Sequence, residues 1–297
     1  MAYKLAFDDL TAAVRACAHD QLRDAVDQLE HRRAEDPVRA VHEARKDLKK
    51  TRALVRLVRP ALKARTYRAE NGALRDAAGR VSGARDADVM VAVADELAPL
   101  MVGRISEQAA DALRARLEGA RGTTPPSEIE AAVAELRAAD ERVDAWVPEA
   151  LTRDVLIAGM LRAYAEGRGH FRHARDHDPT PEELHEWRKR VKDLWYHTRL
   201  VEPAWPALLG PQAAELKVLS EHLGDDHDLA VFAGHVGDDP ELEPLHAIVA
   251  DRRAELLAWA RGLGERVYAE RPKAFAARMD HLIAAAEREA RATVPAS

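Results

Sequence analysis

Between residues 42 and 63 two stripes run side by side at helical pitch. Leu48, Val55, Val58 and Leu62 recur at steps of seven, three and four and can face a core. His42, Arg45, Lys49, Arg52, Arg56, Arg59 and Lys63 follow steps of three and four and place only imidazole and cationic groups on a second stripe. The pattern predicts a helix with one apolar and one basic face. Elsewhere Ala, Leu, Arg, Glu and Asp dominate, and runs with β-branched alternation are absent. Breakers cut the chain into predicted helices over about 7–34, 38–59, 64–79, 86–97 and 104–118. A linker-like stretch follows at 122–127. The helical pattern then resumes, with Pro148, Asp178 to Pro181, Pro203 to Pro211, Gly224, Pro240 and Pro272 as punctuation. The predicted class is all-α.

The chain contains an internal repeat. Residues 42–60 align without a gap over 185–203 at an offset of 143, with nine of nineteen positions identical. A second pair, 81–90 over 223–232, follows at an offset of 142 and sets Arg85 on His227 and Asp86 on Asp228. The same offset sets Arg75 on Lys217 and Arg80 on His222. Two elements recurring in order at one spacing predict a duplicated helical unit, over about 7–145 and 149–292. The expected arrangement is two similar bundles with pseudo-twofold symmetry inside one domain spanning 1–297.

Composition adds limits. The hydrophobic fraction of 47% suffices for a real core. The single cysteine, Cys17, excludes an internal disulfide framework and a thiolate zinc cluster. The N-terminus lacks a signal-peptide pattern, and no apolar run approaches the length of a membrane span. A cytoplasmic setting without membrane contact is expected. The net charge of −6 argues against a polyanion partner only as an average. Residues 42–68 carry ten Lys and Arg against two acids, a local charge of +8 that leaves −14 for the remainder.

Like charges at i,i+3 and i,i+4 repel by a few tenths of a kcal/mol per pair. An ordinary exposed helix relieves this with interspersed Glu, and this stripe has none. The second copy repeats it with His185, Arg188, Lys192 and Arg199. A function that needs clustered cations explains the recurrence. Arg presents planar bidentate donors to phosphate oxygens, Lys a compact charge, and His a ring that a polyanion would protonate.

The repeated H-E-x-R-K-x-[LV]-K-x6-R helix, followed by a turn of the G/S-x-x-[RH]-D type, resembles the CHAD (conserved histidine α-helical) domain over essentially the whole chain, from about Phe7 to Arg291. The resemblance implies paired helical bundles around a basic channel or groove. It also implies binding of inorganic polyphosphate, association with polyphosphate granules, and no catalysis. The ligand-facing residues it implies are His42, Arg45, Lys46, Lys49, Arg52 and Arg56 in the first copy. In the second they are His185, Arg188, Lys189, Lys192, Tyr196 and Arg199. Arg75, Arg80, Lys217 and His222 form a secondary set. The second copy departs from the pattern at Asp193 and Trp195, opposite Lys50 and Arg52, so the first half is expected to hold more of the anion's charge. Asp86 and Asp228 are expected to cap helices or to orient a stripe arginine.

Other signals rank lower. His170, His173 and His177 share a helix face, but Arg172 and Arg175 intervene and disfavour a metal, so neither a metal nor a cofactor is expected. His-Glu at 42–43 and 185–186 is followed by Lys where a zincin has its second His. The His227-Asp228 dipeptide leaves a metal-dependent phosphohydrolase as the alternative function. No ExExK triad, Walker A sequence or nucleophile elbow is present, and nothing resembles a base-reading motif for specific nucleic acid.

Overall fold

Asp36 accepts a hydrogen bond from the Arg39 N–H at 3.0 Å, and Pro37 takes the first helical position, so the helix carrying the basic stripe starts at the Asp-Pro pair. Thr180 and Glu183 form a capping box at the matching place in the second half, ahead of Pro181. The computed structural model describes residues 3–81, 83–237 and 239–293, and the side chains of all these except 83–86 and 293. Arg85 and Asp86, aligned above with His227 and Asp228, therefore have side chains outside the described residues.

The fold is all-α, with eleven α-helices among the described residues and 85% of the chain helical. In order they are α1 (Leu10–Glu30), α2 (Pro37–Leu57), α3 (Ala64–Arg80), α4 (Gly83–Met101), α5 (Glu107–Gly119) and α6 (Pro126–Trp146). They continue with α7 (Arg153–Asp176), α8 (Pro181–Val201), α9 (Pro206–Val236), α10 (Glu243–Val267) and α11 (Pro272–Thr293). Short 3₁₀ turns follow both stripe helices, at Arg59–Ala61 after α2 and at Glu202–Ala204 after α8.

Two apolar cores hold these helices. The larger is filled from α1, α2, α3, α6, α7, α8 and α11, with the first half of α9 and the end of α10. The smaller takes Met90, Val91 and Leu97 of α4, Leu113 and Leu117 of α5, Phe232 of α9 and Ile248 of α10. Helices α9 and α10 thus serve both cores. In the first half α3 ends at Arg80 and α4 starts at Gly83, whereas α9 runs unbroken through 31 residues.

That continuity corrects the expected punctuation. Pro211 and Gly224 lie inside α9 rather than at its ends. Pro211 lies close enough to the helix N-terminus that its missing N–H removes only one early bond. Gly224 leaves room for a guanidinium: a Cβ there would approach Arg188 Nη2 to 3.2 Å and Nε to 3.4 Å, and the arginine would have to shift by a few tenths of an ångström. Gly159 meets a similar need where α7 crosses the end of α2, since a Cβ would fall 1.9 Å from the Leu57 carbonyl oxygen.

Helices α2 and α8 meet beside the 3₁₀ turns. The buried His197 ring, 1% exposed, donates from Nε2 to the Ala53 carbonyl at 2.9 Å. Arg56 Nη1 of α2 donates to Asp193 Oδ1 of α8 at 2.5 Å, and Arg190 Nη1 lies 3.4 Å from the other oxygen of that carboxylate. Asp193 is 3% exposed, so one buried acid holds one arginine from each half.

Candidate functional site

On α2 the stripe residues His42, Arg45, Lys49, Arg52 and Arg56 are all half-buried, set between fully buried positions such as Ala44, Leu48 and Val55. Partial burial makes their charge expensive. Desolvation, reinforced by the neighbouring Arg56 guanidinium, pulls the Arg52 pKa down to about 10. Arg52 Nε reaches Asn71 Oδ1 of α3 at 3.5 Å, and the Arg75 charge also acts on it, so α3 forms the facing wall. Lys46 lies off this line, where its Nζ bonds Glu43 at 2.7 Å. Lys189 repeats that arrangement with Glu186 at 2.6 Å in the second copy.

On α8 the stripe presses against α9. The rings of His185 and His227 pack with centroids 4.5 Å apart, and His185 Nδ1 is buried without a hydrogen-bond partner. Arg188 lies over Gly224, its Nε buried and likewise unpartnered. Burial lowers its pKa, against the opposing fields of Asp228 and Asp225. The Asp228 charge thus favours the charged form of a stripe arginine. Asp228 stands in the interior of α9, which overturns the helix-cap expectation. Lys192 is half-buried on the same stripe. Arg199 sits over the rings of Tyr3 and Trp195, at 5.7 and 5.3 Å from their centroids.

Tyr196 is only 6% exposed and packs edge-on against Tyr3, so the structure puts it in the core rather than in the groove. The secondary set divides. Arg75 stands beside Arg52, and Lys217 shares the helical register of Gly224 and Asp228. Arg80 turns to Glu128 and Glu135 of α6, and His222 stacks on Trp259 of α10, so both face away from the stripes. Asp193, expected to weaken the second stripe, instead neutralises Arg56 of the first. Sequence reasoning missed His227 as the partner ring of His185. The aligned positions of the second repeat block contained that signal.

Burial lowers the pKa of His227 and pushes His185 down to about 4, with Lys189, Arg188 and Lys192 adding repulsion and Glu186, Asp226 and Asp228 opposing it. His197 is also pushed down to about 4 by burial. The unfolded chain protonates its histidines near the ordinary value of about 6.5, so between there and 4 it binds more protons than the folded one. Stability should hold above pH ~6.5 and decline as pH falls toward ~4. Glu43 and Glu186, held low by their lysines, lose their contribution only below the ordinary carboxylate range. Melting curves across pH check this: His185→Gln and His197→Gln should each flatten the decline. A wild-type curve that is level over that window would contradict it.

His173 bonds Glu183 at 3.0 Å and packs on the His177 ring, apart from both stripes. Among the described residues no group of three or more His, Cys, Asp or Glu is placed to hold a metal ion. No described helix is long and apolar enough to cross a membrane.

An all-helical chain that uses a histidine-headed basic helix twice defines the class of this protein. It belongs to the CHAD domain family, whose model matches residues 12–237. No curated protein matches the chain.

Proposed function

We propose that this protein binds inorganic polyphosphate along the stripes of α2 and α8, without transforming it, and thereby associates with polyphosphate granules in the cytoplasm. The observation that carries the reading is the state of Arg188. Its guanidinium is already desolvated over Gly224, with Nε buried and unpartnered. Phosphate oxygens would supply the missing acceptor and the missing charge together. Arg52, pulled down to about 10 on the other stripe, gains in the same way. A thin flexible chain reaches half-buried side chains between helices more readily than a nucleic-acid duplex does. The Arg56–Asp193 link at the α2–α8 contact would let one chain run from one stripe to the other.

Counterion release tests the reading. Log affinity for polyphosphate should fall against log salt with a slope magnitude of about 4 or more. Polyphosphate should also outcompete DNA of equal phosphate count. Binding that ignores salt, or equal preference for DNA, would sink the proposal. The competing phosphohydrolase reading draws on the His227-Asp228 pair, where His227 packs on His185 and Asp228 acts on Arg188. Shortening of labelled polyphosphate in the presence of Mn²⁺ or Mg²⁺ would favour it over binding alone.

A further inference from the structure

A cleft of about 1060 Å³ opens at the N-terminal end of the α2 stripe, bounded by the end of α1, the face of α4 and the segment joining α5 to α6. Its floor is apolar: Leu29, Val41, Val89, Ala92 and Ile129 line it. Val38, on its edge, is 68% exposed. The volume lies just above the range for small-molecule sites, about 300–1,000 Å³.

The charges lining the cleft sum to zero, with Arg33, Arg39 and Arg121 against Glu30, Asp36 and Asp88, but they are not all paired with one another. Its three acids are all committed: Glu30 to Arg137 at 2.7 Å, Asp88 to Arg121 at 2.9 Å, and Asp36 to the Arg39 N–H at 3.0 Å. Arg33 and Arg39 line the same cleft, and among the described residues no carboxylate lies within ion-pair reach of either guanidinium. His42 stands on this rim as well, and Thr124 Oγ1 is buried in the lining without a hydrogen-bond partner. An apolar interior with cationic donors on one rim calls for a ligand with a hydrocarbon tail and an anionic head. The apolar residues lie inside a concavity between helices, which a flat bilayer cannot enter.

We propose that this cleft binds a single-chain amphiphile with a phosphate head, its tail between α1, α2 and α4 and its head on Arg33 and Arg39. The site shares only His42 with the stripe proposal and does not depend on polyphosphate.

Calorimetric titration of the full chain with decyl phosphate, kept below its micelle-forming concentration, tests the proposal. Decyl maltoside and inorganic phosphate serve as the tail-only and head-only probes. Saturable one-site binding is expected, at least about tenfold tighter for decyl phosphate than for either probe. Ala92→Trp fills the cleft from an exposed position and should weaken decyl phosphate about tenfold or more, with polyphosphate affinity unchanged. The double variant Arg33→Gln/Arg39→Gln should weaken decyl phosphate and leave decyl maltoside unaffected. Equal affinity for decyl phosphate and decyl maltoside, or indifference to Ala92→Trp, would overturn the proposal. So would binding seen only with phosphatidic-acid vesicles. Loss of polyphosphate binding alone would overturn the stripe reading and leave this one standing.

Discussion

Lys49→Glu combined with Lys192→Glu is expected to weaken polyphosphate binding by about a thousandfold. Each lysine is half-buried on its stripe, one on α2 and one on α8. A hydrogen bond to a charged partner is worth about 1.5–3 kcal/mol, and reversing the charge adds repulsion. About 2 kcal/mol per position is a factor of roughly thirty, and the two factors multiply when one chain spans both stripes. Geometry, rather than charge alone, is tested by the single variants. With a shared groove, either one weakens the same class of site, and the double variant shows the product. With separate grooves, Lys49→Glu would leave a full-affinity site in the second half at half the stoichiometry. Titration with a long polyphosphate, reading stoichiometry and affinity together, separates these outcomes.

Asp193→Ala should destabilise the protein by about 3 kcal/mol or more, because it strands Arg56, while Arg190 keeps Glu166 at 2.9 Å. For a chain of this length that amounts to a fall in melting temperature of roughly 6 °C or more. Arg56→Met alone should cost less, since Asp193 retains Arg190 at 3.4 Å. Adding Arg56→Met to Asp193→Ala should recover part of the loss, because the stranded charge is gone. The functional sign is opposite. Without Asp193, Arg56 is released toward the stripe, so saturating polyphosphate should raise the variant's melting temperature by more than that of the wild type. Equal ligand shifts in the two proteins would mean that Arg56 does not reach the anion.

The helical class and the register of both stripes were legible because they depend on local spacing. Helix α2 was expected over about 38–59 and runs over Pro37–Leu57, since its cap and its proline act within one turn. Where local rules met tertiary demands they failed. Gly224 reads as a breaker by propensity, yet it lies inside a continuous helix, close under the Arg188 guanidinium. Tyr196 aligns beside the stripe, but the N-terminal segment brings Tyr3 across it, a contact between residues far apart in sequence. The same distance hid Asp193. Its alignment with Lys50 suggested a loss of positive charge from the second half, and only the packing of α8 on α2 shows that it answers Arg56. Arg80 and His222, set opposite each other by the repeat, both turn outward toward neighbouring helices. Alignment of two copies reports equivalence, not direction.

Helix α9, at 31 residues, is about 46 Å long and is anchored in the large core at one end and the small core at the other. This sets how the protein breathes. Helices α4 and α5 are joined to the rest through α9 and α10, aided by contacts such as Arg116 with the His235 carbonyl at 2.5 Å. They can detach as a unit while α9 keeps its hold on the large core. Amide hydrogens of α4 and α5 should therefore exchange through a partial opening, whereas those in the first half of α9 should wait for global unfolding. Exchange mass spectrometry would show two protection levels along this one helix, stepping down beyond Gly224. Uniform protection from Pro206 to Val236 would mean that the two cores unfold as one.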